Sequence, residues 1–145
     1  MLVATTAVSR RLERDLEDRH GLSLMWFDVL NRLDQGGGRL RLHELEDRSV
    51  FTRSGMTRLC DRMEAAGLVE RARSTADRRG VEIVLTEQGR DTLTRVWPTH
   101  LASIEDHFGQ FVDDEGARDL VAITAGLLNG LGEGLPGPST RVDSA

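Results

Sequence analysis

The sequence predicts a mainly α fold of the α+β kind, and three observations predict it. Apolar residues recur at helical spacing in several separate segments, so most of the chain reads as amphipathic helix. One short segment, Val81, Ile83 and Leu85, alternates instead at the period of a strand. Between these two patterns the arginines gather, in a chain whose formal net charge is -5.

The first helix is expected over residues 3–19, with Val8, Leu12 and Leu16 on one side and charges on the others. After His-Gly-Leu, Ser23 is placed to cap a second helix carrying Trp26, Phe27, Leu30 and Leu33. Three consecutive glycines, 36–38, stop it through their backbone entropy cost. Arg-Leu-Arg-Leu can then supply a brief strand near Leu40, followed by a short helix through His-Glu-Leu-Glu-Asp-Arg-Ser. Thr52 is a second N-cap, and Met56, Leu59, Cys60 and Met63 follow it at i, i+3, i+4 and i+7. Ser54, Arg58 and Asp61 fall opposite that stripe, with Thr57 at its flank. Two strand candidates, residues 68–74 and 81–86, are joined by the polar tip Thr-Ala-Asp-Arg-Arg-Gly. Thr86 caps a long helix through Leu93, Val96, Trp97, His100, Leu101, Ile104 and Phe108, in which Pro98 is expected to cause a bend. Asp113 or Asp114 caps a last helix with Leu120, Ile123, Leu127, Leu128 and Leu131. Residues 133–145, rich in Gly, Pro and Ser, carry no periodic apolar face and are expected to form a flexible tail.

Length and composition narrow the function. The 145 residues suit one domain with its own core. The single cysteine, Cys60, cannot form an internal disulfide, which favours a reducing compartment. With no long apolar run and no signal-peptide order at the N-terminus, the expected location is cytoplasmic, with no membrane partner. The four histidines are scattered, so no metal site and no cofactor are expected, and no glycine-rich phosphate loop or activated nucleophile marks an enzyme. The chain contains no lysine, so arginine is its only permanently cationic side chain. From residue 39 to 79 ten arginines stand against seven acidic residues, while the rest of the chain holds nine against seventeen. Charge distribution sets local potential, and this stretch is where a polyanion would be met.

Residues 42–67 form two helix patterns around a short turn, and the two strands with a polar tip follow directly. This is a helix-turn-helix with a wing. The stretch ELEDRSVFTRSGMTRLCDRMEAAGLVERARSTADRRGVEIVLTEQGR resembles the MarR family of winged helix-turn-helix transcriptional regulators, above all in TRLCDRMEAAGLVER, DRRG and LTEQGR. The likeness runs from about Leu12 to Leu131, giving one winged domain over residues 1–132 with its DNA-binding core at about 36–88. N- and C-terminal helices at about 3–19 and 87–131 would serve dimerisation.

The resemblance implies a sequence-specific DNA-binding regulator, a repressor on a palindromic operator, acting as a homodimer and released by a small aromatic or anionic ligand. The alternative is a winged-helix protein-interaction module without operator binding. Thr52, Arg53, Ser54, Thr57 and Arg58 would stand at the DNA-facing start of the recognition helix, where hydroxyls and guanidinium groups meet base edges or phosphates. For Arg53 an intramolecular ion pair competes with a phosphate contact. Arg71 and Arg73 would meet the backbone from the first wing strand, with plain solvent exposure as the competing reading. Arg78 and Arg79 would extend the surface to the wing tip, Arg79 being the minor-groove residue by the family pattern. Asp77 would hold the wing by a salt bridge or turn hydrogen bond. Cys60 is expected to be buried, inert packing.

Val8, Leu12, Leu16, Leu120, Ile123, Leu127 and Leu128 offer more apolar helix surface than one small winged domain needs, which suits burial against a second copy. His20, Trp26, Phe27, Trp97 and His100 are candidates for a ligand pocket between winged body and terminal helices, each also readable as a core residue.

Overall fold

The computed structural model describes residues 2–46, 52–73 and 80–131. In chain order the elements are α1 (Leu2–His20), α2 (Leu24–Gln35), β1 (Arg39–Arg41), α3 (Leu42–Glu46), α4 (Arg53–Ala65), β2 (Val69–Arg73), β3 (Val81–Leu85), α5 (Glu87–His107) and α6 (Asp114–Gly130). A single 3-10 turn, Gly109–Phe111, separates the last two helices. This is a mainly helical winged helix-turn-helix. The turn between α3 and α4, the wing tip and the C-terminal tail lie outside the described residues.

The helix starts follow from short polar side chains. Ser23 accepts the Trp26 N–H at 3.2 Å, Thr52 that of Gly55 at 3.3 Å, Thr86 that of Gly89 at 3.0 Å and Asp113 that of Gly116 at 2.8 Å. Of the two aspartates considered for the last cap, Asp113 fills it. The end of α4 needs a glycine. Gly67 takes φ +74°, and the Gly67 and Leu68 N–H groups donate to the Glu64 and Met63 carbonyls at 2.9 and 3.0 Å. That reversal satisfies two terminal carbonyls and turns the chain straight into β2. Helix α5 runs on through Pro98 from Glu87 to His107 as one element.

The three strands form an antiparallel sheet in the order β1-β3-β2. Leu40 faces Ile83 across one ladder, and Arg71 faces Ile83 across the other. Ile83 and Leu85 are buried as their alternation requires, but Val81 is exposed, because it sits where the wing leaves the body. The core joins Leu16 of α1, Phe27, Leu30 and Leu33 of α2, Leu45 of α3, the Met56, Leu59, Cys60 and Met63 stripe of α4, and Leu93 and Val96 of α5.

Leu16 corrects the expected dimer stripe. It is fully buried within one copy, since α1 packs on α5 and its inward turn closes the monomer's own core. Val8 and Leu12 of the same helix remain partly exposed. Helix α6 behaves in the opposite way. None of its residues is buried, and Val121, Ile123 and Leu127 are more than half exposed.

Polar ties fix α1 and α5 to the body. Glu13 accepts the Leu24 N–H at 2.6 Å, Arg90 pairs with Asp34 at 2.9 Å, and Asp15 accepts from Ser103 at 2.7 Å and His107 at 2.8 Å. These last two hydrogen bonds hold the Asp15 carboxyl below its ordinary pKa. No helix among the described residues is long and apolar enough to cross a membrane.

Candidate nucleic-acid interface

Helix α4 is fastened by its apolar face and shows a polar one. Met56, Leu59, Cys60 and Met63 are at most 2 % exposed, so the helix cannot roll without opening the core. Burial pushes the Cys60 thiol up to about 11, so it stays protonated near neutral pH and acts as packing. On the other side Thr52, Arg53, Ser54 and Arg58 are exposed and Thr57 is half-buried. The Thr52 and Ser54 hydroxyls lie 3.2 Å apart, and Thr57 donates to the Arg53 carbonyl at 3.0 Å while its oxygen lone pairs stay usable. Arg53 approaches Glu46 at 3.9 Å with its side chain 85 % exposed, a loose contact that leaves the guanidinium reachable from solvent. Arg58 has no ion-pair partner among the described residues.

One cation of this face escaped the sequence reading. Arg62 is exposed and lies one turn beyond Arg58, so Ser54, Arg58 and Arg62 form a row at i, i+4 and i+8. Its i+4 spacing from Arg58 is the signal in the sequence that marks it.

The wing strand requires a correction. Arg71, expected among the backbone contacts, is turned against α4 and is half-buried. Its Nη1 lies 2.7 Å from Asp61 and 2.7 Å from Glu64, its Nη2 donates to the Thr57 carbonyl at 3.4 Å, and its backbone N–H donates to Glu64 at 3.0 Å. Burial opposes its charge, but the hydrogen bonds to Asp61 and Glu64 outweigh burial and raise its pKa. Arg73 lies two residues further along β2, on the same face as Arg71, so strand alternation does not separate them. Arg73 is exposed and pairs opposite Val81, whereas Arg71 is held by Asp61 and Glu64 of α4. Asp77, Arg78 and Arg79 lie outside the described residues.

The five residues considered for a ligand pocket do not converge on one space. Phe27 and His100 line an open groove of about 860 Å³ between α1 and α2, along with Arg10, Arg14, Leu24 and Met25. Phe27 is buried, with Trp97 stacked at 5.5 Å between centroids and His100 at 4.1 Å. Trp97 and Trp26 pack on the core outside the groove, and His20 is bound to Thr99 at 2.7 Å, because the end of α1 meets the middle of α5 there. His100 Nδ1 and Trp97 Nε1 are buried without a hydrogen-bond partner among the described residues. Burial lowers the His100 pKa against a smaller opposing pull from Asp28, so the ring is neutral near pH 7. Among the described residues no group of His, Cys, Asp and Glu is arranged to hold a metal ion.

A buried α4 stripe, a cationic outer face and an adjoining three-stranded wing are the parts of a winged helix-turn-helix. A sequence model of the MarR family matches residues 20–80. The chain is 35 % identical over 109 residues to the uncharacterized HTH-type transcriptional regulator YsmB of Bacillus subtilis, covering 75 % of this chain and 74 % of that one. The chain belongs to the MarR family. As a member it is a DNA-binding transcriptional regulator and not an enzyme. Its fold is similar to that of AbsC, a MarR family transcriptional regulator from Streptomyces coelicolor. The TM-score is 0.83 at 31 % identity, over 90 % of this chain and 88 % of that one. It is also similar to Sco3205 from the same organism, a MarR family regulator whose crystal structure is in complex with DNA. There the TM-score is 0.80 at 26 % identity, over 90 % and 85 % of the two chains.

Proposed function

We propose that this MarR-family regulator is a repressor that binds a palindromic operator as a homodimer, with the start of α4 in the major groove. The observation that carries the reading is the row Ser54, Arg58 and Arg62, exposed on a helix whose opposite face is locked in the core of an acidic protein. A rigid helix presenting guanidinium groups and hydroxyls suits base edges and phosphates, while the negative remainder of the chain discourages other approaches. Arg73 extends the cationic surface along the wing. Arg78 and Arg79 continue it by sequence, with Arg79 in the minor groove and Asp77 bracing the tip.

Two copies join through the exposed stripe of α6, Leu120, Ile123, Leu127 and Leu128, aided by Val8 and Leu12 of α1. A two-fold axis then sets two α4 helices on one side of the duplex, roughly one helical turn apart, about 34–36 Å. The groove at Phe27 and His100 receives a small aromatic anion that releases the operator. Stacking on Phe27 and a neutral imidazole support an aromatic effector, and Arg10 and Arg14 favour its anionic group against Glu13, Glu17 and Asp28 of the same lining.

The test is titration of wild type, Arg58→Ala and Arg79→Ala against an operator selected from random duplexes, and against its scrambled form, at several salt concentrations. Arg58→Ala is expected to lose about 1–3 kcal/mol on the operator alone. Arg79→Ala weakens both duplexes and lowers the salt slope by roughly one. Wild-type affinity in both variants contradicts the assigned surface, and failure of the wild type to prefer any duplex favours a protein-interaction module instead.

A further inference from the structure

Two carboxylates sit on the recognition helix itself. Asp61 and Glu64 follow Thr57 at i+4 and i+7, so all three lie along one flank of α4, and both carboxylates retain substantial solvent exposure, 54 % and 39 % of their side chains. On a helix meant to approach phosphates, two such charges oppose binding. Arg71 reaches that flank from the neighbouring strand and touches all three positions, with both carboxylates at 2.7 Å from the same Nη1. Glu64 is held twice, by the guanidinium and by the Arg71 backbone N–H.

We infer that Arg71 is a positioning residue for DNA binding: it cancels the field of Asp61 and Glu64 on the approach face of α4 and pins the wing strand to that helix. This rests on the DNA-binding reading of α4. The pairing explains why an arginine of the cationic stretch is turned inward. Its charge is needed beside the two carboxylates, and its two terminal nitrogens serve both carboxylates and a helix carbonyl at once. Removing it leaves two carboxylates uncompensated next to the polyanion.

Neutral amides separate this role from a direct phosphate contact, because Asp61→Asn and Glu64→Gln keep an accepting oxygen for Arg71 while removing the charge. Four full-length proteins are compared by titration with a selected operator duplex: wild type, Arg71→Ala, the Asp61→Asn/Glu64→Gln pair and the triple variant. Hydrogen exchange of the β2 amides in the free proteins is measured alongside. Arg71→Ala is expected to weaken binding tenfold or more and to speed exchange at the Arg71 amide. The amide pair with Arg71 intact should bind several-fold more tightly than wild type, and the triple should recover most of the loss seen in Arg71→Ala.

A triple variant as weak as Arg71→Ala, or an amide pair weaker than wild type, overturns the inference and makes Arg71 a phosphate contact or simple packing. The amide pair keeps the test decisive if Arg71→Ala does not fold. Unchanged exchange at the Arg71 amide in Arg71→Ala overturns the pinning. Failure of the wild type to bind any duplex is a distinct result: it overturns the DNA-binding reading of α4 and this inference with it.

Discussion

Helices α4 and α6 are both amphipathic, yet one copy of the chain treats them in opposite ways. The apolar stripe of α4 is satisfied at home by the core, and what remains on its surface is hydroxyls, guanidinium groups and the carboxylates Asp61 and Glu64 that Arg71 pairs. Among the described residues nothing buries the apolar stripe of α6, so Ile, Leu and Val stay on its surface beside its charged residues. On the proposed reading, the face left over after folding marks the partner of each helix: a polyanion for α4, and another apolar surface for α6. Substitutions on the two stripes should therefore fail in different assays.

The largest effect is expected in the α4 stripe. Leu59→Ala should cost about 2–5 kcal/mol of folding stability, measured by chemical denaturation, because a fully enclosed side chain leaves a cavity. The corresponding change in α6, Ile123→Ser with Leu127→Ser, should leave the folded body intact and shift the chain from dimer to monomer in sedimentation, since each side chain forfeits about 1.5–3 kcal/mol of burial made only across the interface. Equal loss of folding stability in a monomeric α6 variant would erase the contrast between the helices.

A middle-sized effect tests the joint between wing and α5. Gly89 is buried, and a Cβ there would run into the Leu68 carbonyl and the Leu85 side chain. Backbone cannot give way cheaply, so Gly89→Ala is expected to lower stability by about 1–3 kcal/mol in thermal melts. A melt unchanged from wild type would mean that the α5 start is looser than its Thr86 cap implies.

The sequence made α4, the wing strands and all four capped helix starts legible, because each rests on a local rule: a 3.6 or 2-residue period and a short polar cap. It also suggested the third strand at Leu40, although the three-residue β1 acquires meaning only by pairing with β3. Tertiary context decided the rest. Leu16 and Val8 share one helical stripe, yet the docking of α5 buries the first and leaves the second half-open. Arg71 and Arg73 look alike in the sequence, and only the position of α4 separates an inward clamp from an exposed cation. The aromatic and histidine residues Phe27, Trp97 and His100 do cluster, but which of them borders open space depends on how α1 lies across α2.

The smallest effect concerns the tie between α1 and α5. The Asp15 carboxyl has a folded-state pKa below its unfolded value, so its contribution is present above about pH 4 and fades as the pH falls through the depressed folded value. Asp15→Asn should cost on the order of 0.5–1 kcal/mol at pH 7, and the gap to wild type should close in strongly acidic solution. A gap that widens on acidification would reverse the assigned sign.

The most direct test of the α4 account is selection of bound duplexes from a random library by the intact protein, with stoichiometry measured on the enriched sequence. An inverted repeat should emerge with centres about one helical turn apart, occupied by two copies, and its binding should weaken steeply with added salt. Recovery of no preferred sequence, or of an asymmetric one bound by a single copy with little response to salt, would contradict it.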